Sequence, residues 1–580
     1  MEYVKKQCVS YSSLVLLQPG SFSGGAAATS AGDGARRLLE LLKGEGQLTL
    51  PNNFFGELVA QMKDLELPGY PAAASGGALQ TFFVGHAEAL VPQLIAATLK
   101  TNLVENYAWT FRVTSELLAH QPLAHVICDS QYWVPAHPSA RNLEHETLFG
   151  SLLRLSCIPE VTHDMQTGRP IMIPHPVGQA CFSQCWQRSQ SERDLEVGNV
   201  RLFLQGAQNQ MIEILKKVLK DSKMQERFFQ WIAAVLTHNA IRTKEGYQFG
   251  FLAMRSSSHG FLFNLLAVLL KLCKPFADPE HPKALWHKID ATWLISKHRL
   301  DLSEETRTCH EDGNQNQEGG ASRATSDIAV SESFGTISEF FFLALRALHV
   351  LNLDRMSKDY IKLSQEVNSL YHRTRAAMDG GEEREQLEAQ FAQSDERRLC
   401  MEVVMQDRDF LDDMLMLARL CGRFLLRQSG APQEVLPLPE TPPAIFRVMP
   451  EFVVECPIET VKAVAQLVPS VLETVRRQTL DDFVAFLMAY SSAPHYIKNP
   501  YLRGKLLEAM SFLIPKGREQ GFENNGGNLA TLFQVPKKDF HSLQNVFSCY
   551  RMCSLAMYVL RWAAAILRRS SRSLNPTPYP

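Results

Sequence analysis

The chain is 580 residues long, 45% hydrophobic and 21% charged, a composition that excludes wholesale disorder and a length beyond what one hydrophobic core supports. Its 59 basic and 61 acidic side chains leave a net charge of -2, which gives no broad attraction for nucleic acid or an anionic membrane. Protein partners are the expectation that remains, with no nucleic acid and no membrane among them.

Met1–Ser10 carries Lys5 and Lys6 and lacks the uninterrupted apolar core of a secretory signal. Together with twelve scattered cysteines this points to a reducing compartment, cytoplasm and nucleus. Gly20–Gly34 is a Gly/Ala/Ser run suited to a loop. Helical spacing then predicts helices over Ala35–Lys43, Ala87–Thr101 and Val200–Lys220. Asp221-Ser222 caps the next, which places Met224, Phe228, Trp231, Ile232, Val235 and Leu236 on one stripe. A helix opening at Gly260 is apolar almost all round, through Phe261, Leu262, Leu265, Leu266, Leu269 and Leu270, and so belongs inside; Pro275 is expected to stop it.

Thr308–Ser333 is polar and reads as a flexible insert. Ile337–Val350 is a greasy helix, and Asp379–Arg398 carries Glu and Arg at helical spacing, as a solvated helix does. Leu411, Met414, Leu415, Ala418, Phe424 and Leu425 mark another helix, and proline-rich Gln428–Pro443 an extended connector. Helices are expected over Val461–Arg477, Leu480–Ser491 and Tyr501–Ile514. Val546–Leu567 is the nearest approach to a membrane span, but Arg551 and Arg561 interrupt it, so it reads as a buried helix. The fold class is all-α, an elongated irregular helical solenoid of stacked helices, armadillo- or HEAT-like only loosely because no fixed period recurs.

Chemistry is scarce along this pattern. No Walker or dinucleotide fingerprint, no G-x-S-x-G elbow and no H-E-x-x-H pair occurs. Cys181 and Cys185, with His163 and His175 upstream, are the best metal candidates. Their C-x-x-x-C spacing puts them on successive helical turns beside Trp186, which favours packing, and Cys549 with Cys553 repeats the pattern. A cysteine nucleophile at Cys181 or Cys185 would need a nearby base or cation to form its thiolate. The residues therefore nominate no catalytic, cofactor-binding or metal site, and no cofactor.

Several segments in order carry a resemblance. Glu146-Thr147-Leu148-Phe149-Gly150 runs on to Ser156; Phe228-Phe229-Gln230-Trp231 precedes Asn239 and Arg242. Arg255-Ser256-Ser257-Ser258-His259-Gly260-Phe261-Leu262-Phe263-Asn264-Leu265 leads to Pro275-Phe276-Ala277-Asp278 and Lys288-Ile289-Asp290. Glu339 to His349, Met449-Pro450-Glu451-Phe452 and Tyr496 to Leu506 come after these. Together they resemble the core of the ubiquitin conjugation (chain elongation) factor family of U-box-type ubiquitin ligases. Each piece also has a packing explanation: Asp278 or Asp290 can cap the next segment, and Asn499-Pro500 can turn into the Tyr501 helix. On this reading the chain divides into an N-terminal helical region 1–140, a ubiquitin elongating factor core 141–515 with the insert 308–333 and the connector 428–443, and a C-terminal helical segment and tail 516–580.

The resemblance implies a ubiquitin-ubiquitin ligase working by positioning in protein polyubiquitination and ubiquitin-dependent degradation. Its expected partners are ubiquitin and ubiquitinated substrates, a ubiquitin-conjugating enzyme held by a U-box, the valosin-containing AAA ATPase and proteasome shuttle proteins. Two departures accompany it. His259 stands where the family has an acidic residue, and an imidazolium there would oppose the helix dipole. After the core, the chain runs to Arg568-Arg569-Ser570-Ser571-Arg572 and Pro576-Thr577-Pro578-Tyr579-Pro580 without the U-box pattern, so this chain alone is expected to be inactive. The alternative class is a non-enzymatic α-solenoid adaptor in trafficking or transport.

Overall fold

The computed structural model describes residues 3, 7, 31–43, 54–57, 59, 75–163, 170–173, 175–244, 253–278, 285–309, 328–377, 381–430 and 438–513. The chain forms two compact units, Met1–Phe512 and Leu513–Pro580. The second lies outside the described residues apart from Leu513, and with it Cys549, Cys553 and Val546–Leu567.

The first unit is all-α, its helices stacked in solenoid fashion. It opens with α1 (Ala31–Lys43), which begins inside the expected Gly20–Gly34 loop, and α2 (Ser75–Lys100), longer at its start than the spacing from Ala87 predicts. Next come α3 (Ala108–Ala119), α4 (Gln121–Asp129), α5 (Ala140–His145) and α6 (Leu148–Leu153). Ser139 and Thr147 cap the last two, their hydroxyls accepting from Asn142 N and Gly150 N. One antiparallel hairpin of β1 (Val161–His163) and β2 (Pro170–Met172) interrupts the helices, Thr162 opposite Ile171.

The long α7 (Gln190–Val218) starts from a complete capping box, Ser189 with Glu192. In α8 (Ser222–Asn239), Asp221 accepts from the N–H groups of Lys223 and Met224, and the predicted stripe is buried. α9 (His259–Ala277) is capped by Ser258 and buried on every side from Gly260 to Leu270. Pro275 does not stop it: its missing N–H and its ring cost the helix the bond to the Lys271 carbonyl, but the helix runs two residues further and Asp278 N still bonds Lys274 O at 3.3 Å. Around α9 pack α6, α7, α10 (Thr336–Leu351) and, further along the chain, α13 (Arg408–Gln428). α9 and the helical stretch from Thr336 are long and apolar enough to cross a membrane, yet 78% of each apolar window is buried, as suits core helices.

Between these, α11 (Leu353–Ala376) and α12 (Glu382–Met405) pair closely. Asn352, in the left-handed region at φ 57, both ends α10 and caps α11. The charged block in α12 is not wholly solvated: Leu387, Phe391, Asp395 and Leu399 form a buried face, where Asp395 is ion-paired with Arg193 of α7 and with Arg398 at 2.8 Å. After the short α14 (Ala444–Arg447) come α15 (Glu451–Leu467), α16 (Pro469–Thr474), α17 (Arg477–Ser492) and α18 (Pro500–Leu513). The single helix expected over Val461–Arg477 is thus two, because Pro469 forces Val468 out of the helical region, to φ -144 and ψ 76.

Two of the irregular stretches are anchored at their edges. Thr308 is buried, donates its N–H to Met449 O at 3.0 Å and its hydroxyl to Phe446 O at 2.8 Å, and accepts from Lys498 N at 3.1 Å. Leu438, inside the proline-rich connector, is buried as well. Residues 310–327 and 431–437 lie outside the described residues.

Candidate functional site

The earlier segments that carry the resemblance, from Glu146 to Leu265, meet inside the first unit, around the start of α9. Glu144 of α5 is fully buried and faces the serine turn: Ser258 N donates to its Oε2 at 2.9 Å and Ser258 Oγ to its Oε1 at 2.5 Å. Ser258 Oγ in turn accepts from Phe261 N at 3.3 Å, so one hydroxyl couples the carboxylate to the helix cap. Asn239, at the end of α8, accepts from Ser257 N at 2.8 Å and donates to Ser257 Oγ at 3.0 Å. Ser257 Oγ passes the chain on to Ala140 O at 2.9 Å. Arg242 donates to Val350 O at 3.1 Å and to His259 Nδ1 at 2.7 Å.

That last bond corrects the expectation for His259. Burial first, and the Arg242 guanidinium second, hold the imidazole well below its ordinary pKa. It is a neutral acceptor rather than an imidazolium opposing the dipole of α9.

Around this polar centre the packing explains the remaining motif residues. Phe149 stacks edge-on against Trp133, Phe228 and Trp231 at 4.7, 5.4 and 5.6 Å between ring centroids. The indole N–H of Trp231 donates to Thr147 Oγ1 at 3.1 Å. Asn264 donates to Leu153 O and Leu155 O at 2.8 and 2.7 Å, giving a side-chain partner to the last carbonyl of α6 and to one just beyond it. Gly150 and Gly260 are contact glycines: a Cβ would lie 2.0 Å from Leu143 O at the first and 2.4 Å from Ser156 Cβ at the second.

A second cluster surrounds Glu339 at the start of α10. Arg299 joins Glu339 at 2.9 Å to Glu226 at 2.5 and 2.6 Å, and Trp293 Nε1 donates to Glu339 Oε2 at 3.0 Å. Of these groups Glu226 and Arg299 border an open cleft of about 320 Å³ that also meets His238 and His298. A third lies between α15 and α18. Lys505 is ion-paired with Glu455 and, at 2.8 Å, with Glu459, while Lys462 reaches Glu508 at 2.7 Å. Burial and the neighbouring Glu455 carboxylate raise Glu459 to about 7 against the pull of Lys505.

Cys181 and Cys185 are not on successive turns of one helix. Cys181 sits in a wide turn over Gly178–Phe182 and Cys185 opens a tight one over Cys185–Gln187, with Gln184 between them at φ 55. Burial raises the pKa of both thiols, which keeps them protonated and poor nucleophiles. His175 accepts from Val177 N at 3.3 Å, and burial lowers it to about 4. Among the described residues no group of three or more His, Cys, Asp and Glu is placed to hold a metal ion. The side chain of His163 and that of Trp186 lie outside the described residues.

Sequence reasoning found Asn239, Arg242, the serine turn and Lys505 through their motifs but missed Glu144, Arg299 and Glu226. Glu144 stands in Glu144-His145-Glu146, on a helix too short to show which carboxylate points inward. These arrangements share one chemical character: polar groups bonded to one another, fixing helices in place, with no nucleophile and base aimed at a common reacting atom.

The chain is 26% identical over 487 residues to a probable ubiquitin conjugation factor E4 of Arabidopsis thaliana, covering 77% of this chain and 44% of the relative. It is 22% identical over 537 residues to ubiquitin conjugation factor E4 of Schizosaccharomyces pombe, 88% of this chain and 47% of the relative. To the Saccharomyces cerevisiae protein named E4 ubiquitin-protein ligase UFD2 it is 25% identical over 290 residues, 44% of this chain and 29% of that one. The chain thus spans less than half the length of the curated relatives it matches. Residues 149–545, well over half of the chain, match the family model described as the ubiquitin elongating factor core, with the start of the match inside the Glu146–Gly150 segment and its interior holding the serine turn and the Glu339, Met449 and Tyr496 segments: the chain belongs to the ubiquitin elongating factor core family.

Proposed function

We propose that this chain is the helical scaffold of a ubiquitin chain-elongating ligase, acting in protein polyubiquitination and ubiquitin-dependent degradation. The observation that carries the reading is that Asn239, Arg242, Ser257, Ser258 and Asn264, all inside the family match, are the residues through which α9 is tied to α5, α6 and α8. Such a frame serves catalysis by positioning. It forms no covalent intermediate; it holds an already ubiquitinated substrate so that an acceptor lysine meets a thioester presented by a ubiquitin-conjugating enzyme on a U-box. Converting that encounter into a local one is worth several kcal/mol, on the order of the lower part of the range for well-oriented intramolecular reactions.

The further partners of this reading are the valosin-containing AAA ATPase and proteasome shuttle proteins, in cytoplasm and nucleus. The nine free cysteines among the described residues suit a reducing compartment. The test is saturable binding of the 580-residue chain to a mono-ubiquitinated substrate and to the ATPase. It is paired with a reconstituted elongation assay containing conjugating enzyme and a U-box module. The expected result is binding to the ubiquitinated form in preference to the unmodified one, and longer chains when the scaffold is present. Equal affinity for both forms, with no effect on chain length, would refute the proposal.

A further inference from the structure

The tight turn Trp286–Lys288 buries none of its three side chains: Trp286 is half-buried, and His287 and Lys288 are exposed. Helix α13 holds the turn in place. Arg427 donates from Nη1 to His287 O at 3.0 Å and from Nη2 to Ile289 O at 2.9 Å, so one guanidinium ties down both carbonyls. The guanidinium of Arg423, one helical turn earlier, lies 5.0 Å from the centre of the Trp286 ring, and that of Arg427 lies 5.2 Å from it. One indole is thus shared by two cations.

Elsewhere in the fold cations brought together this closely carry their counter-charges with them. Arg299 has Glu226 and Glu339, Lys505 has Glu455 and Glu459, and Arg193 and Arg398 share Asp395. Here the balance differs. Among the described residues no carboxylate lies within ion-pair distance of Lys288 or Arg427, and the Arg427 pKa is lowered by burial, with no acid to raise it again. The carbonyls that Arg427 clasps solvate its charge without cancelling it. Asp290, the nearest carboxylate along the chain, is taken up by Thr292 and Ser331, whose hydroxyls donate to it at 2.8 and 2.5 Å. Guanidiniums four residues apart on a helix also repel each other.

A surface that gathers cations without supplying their anions is complementary to a negatively charged partner. We infer that Trp286, His287, Lys288, Arg423 and Arg427 form a docking surface for an acidic segment of a partner protein. The two arginines are spaced by one turn of α13, about 6 Å along its axis, and the exposed turn lies beside them. That spread suits several carboxylates on an extended chain better than one small anion. A net charge of -2 gives the whole chain no pull on nucleic acid, and the half-buried Trp286 supplies apolar contact among the charges, as aromatic residues do in protein interfaces. The inference is independent of the ubiquitin reading.

The measurement is fluorescence polarisation of a labelled poly-glutamate peptide of about eight residues, long enough when extended to cross the patch, titrated with the full chain at low and at physiological salt. Saturable binding that weakens with salt is expected. Lys288→Glu should weaken it about tenfold by exchanging attraction for repulsion, whereas Lys288→Arg should bind as the parent does. The exposure of Lys288 leaves the fold intact, which circular dichroism checks. Lys216→Glu reverses an exposed lysine on α7, outside the patch, and should have no effect. No binding by the parent chain, or equal losses from Lys288→Glu and Lys216→Glu, would overturn the inference. So would a single-stranded oligonucleotide of the same charge that binds as tightly as the peptide and loses as much to Lys288→Glu, since the patch would then serve phosphates.

Discussion

Two ionic clusters in this chain, one buried and one half-buried, solve the same problem in opposite ways. At the start of α9 the Glu144 carboxylate accepts from the N–H and the hydroxyl of Ser258, with the guanidinium of Arg154 3.8 Å away. Arg242 finds a carbonyl and a neutral imidazole. Between α15 and α18, by contrast, Glu455 and Glu459 share one ammonium, Lys505. The first cluster spreads each charge over neutral dipoles from the loops it joins, whereas the second leaves two like charges competing for one counter-charge. Burial then pushes one of the pair toward neutrality, and Glu459 rises to about 7.

The difference sets the ranking of their mutations. Glu144→Ala strips the N–H and the hydroxyl of Ser258 of their common acceptor, while Arg154 keeps Glu160 at 2.7 Å, so it should cost about 3–4 kcal/mol, at about 1–3 kcal/mol for each donor left without a partner. Urea unfolding of the chain reads this, and a loss below about 1 kcal/mol would show that the serine turn does not depend on the carboxylate. Gly150→Ala comes next. Its methyl group collides with backbone, Leu143 O at 2.0 Å and Glu144 O at 2.7 Å, which cannot step aside, and a cost of about 3 kcal/mol is expected, at the upper end of overpacking. Gly260→Ala is milder at about 1–2 kcal/mol, because its obstacle is the Ser156 side chain. Ser156→Gly in the same chain should then recover most of the loss, a double-variant result that backbone strain alone would not give.

The second cluster is broken by pH rather than by truncation. Glu459 titrates near 7 in the fold and near its ordinary 4.5 when unfolded. Between those values the native chain holds a proton that the unfolded chain has lost, so stability falls as pH rises from about 5 to 7. Glu459→Gln removes that slope, and its stability relative to the parent should improve by up to about 2 kcal/mol between pH 5 and pH 7.5. Denaturation curves at the two pH values decide it, and parallel behaviour of parent and variant would mean that Lys505 fully neutralises both carboxylates.

How much of this is legible in the sequence depends on the kind of contact. The stripe Met224 to Leu236 and the all-round apolarity of α9 are local periodicities, and they predict their helices well. Pro275 misleads because a proline costs a helix a bond to the turn before it without barring the residues after it, and α9 continues through Phe276 and Ala277, which are buried. The charged look of Asp379–Arg398 hides Asp395, whose partner Arg193 lies 202 residues away. No local pattern reports such a pairing. For the polar centre the motifs pointed to the right loops, yet the roles of Ser257, Ser258 and His259 emerge only when α5 and α8 are laid against them. The antiparallel hairpin at Val161 to Met172 is three residues per strand, too short for alternation to stand out.

Asp221 provides the smallest effect and the clearest contrast of sign. It caps α8, accepting from Met224 N and Lys223 N at 3.0 Å each, and lies 2.9 Å from the His125 ring. Those bonds, Met224's first, hold its carboxyl below the usual range, so its contribution is present above the unfolded carboxyl value and is lost as pH falls through the folded one, the reverse of Glu459. Asp221→Ala should cost about 1 kcal/mol at neutral pH, the usual worth of a cap, and the gap between variant and parent should close on acidification below about pH 4. Asp221→Asn separates cap from charge: if it retains most of the stability at pH 7, the backbone bonds to α8 carry the effect, whereas a loss equal to that of alanine would assign it to the His125 pair instead.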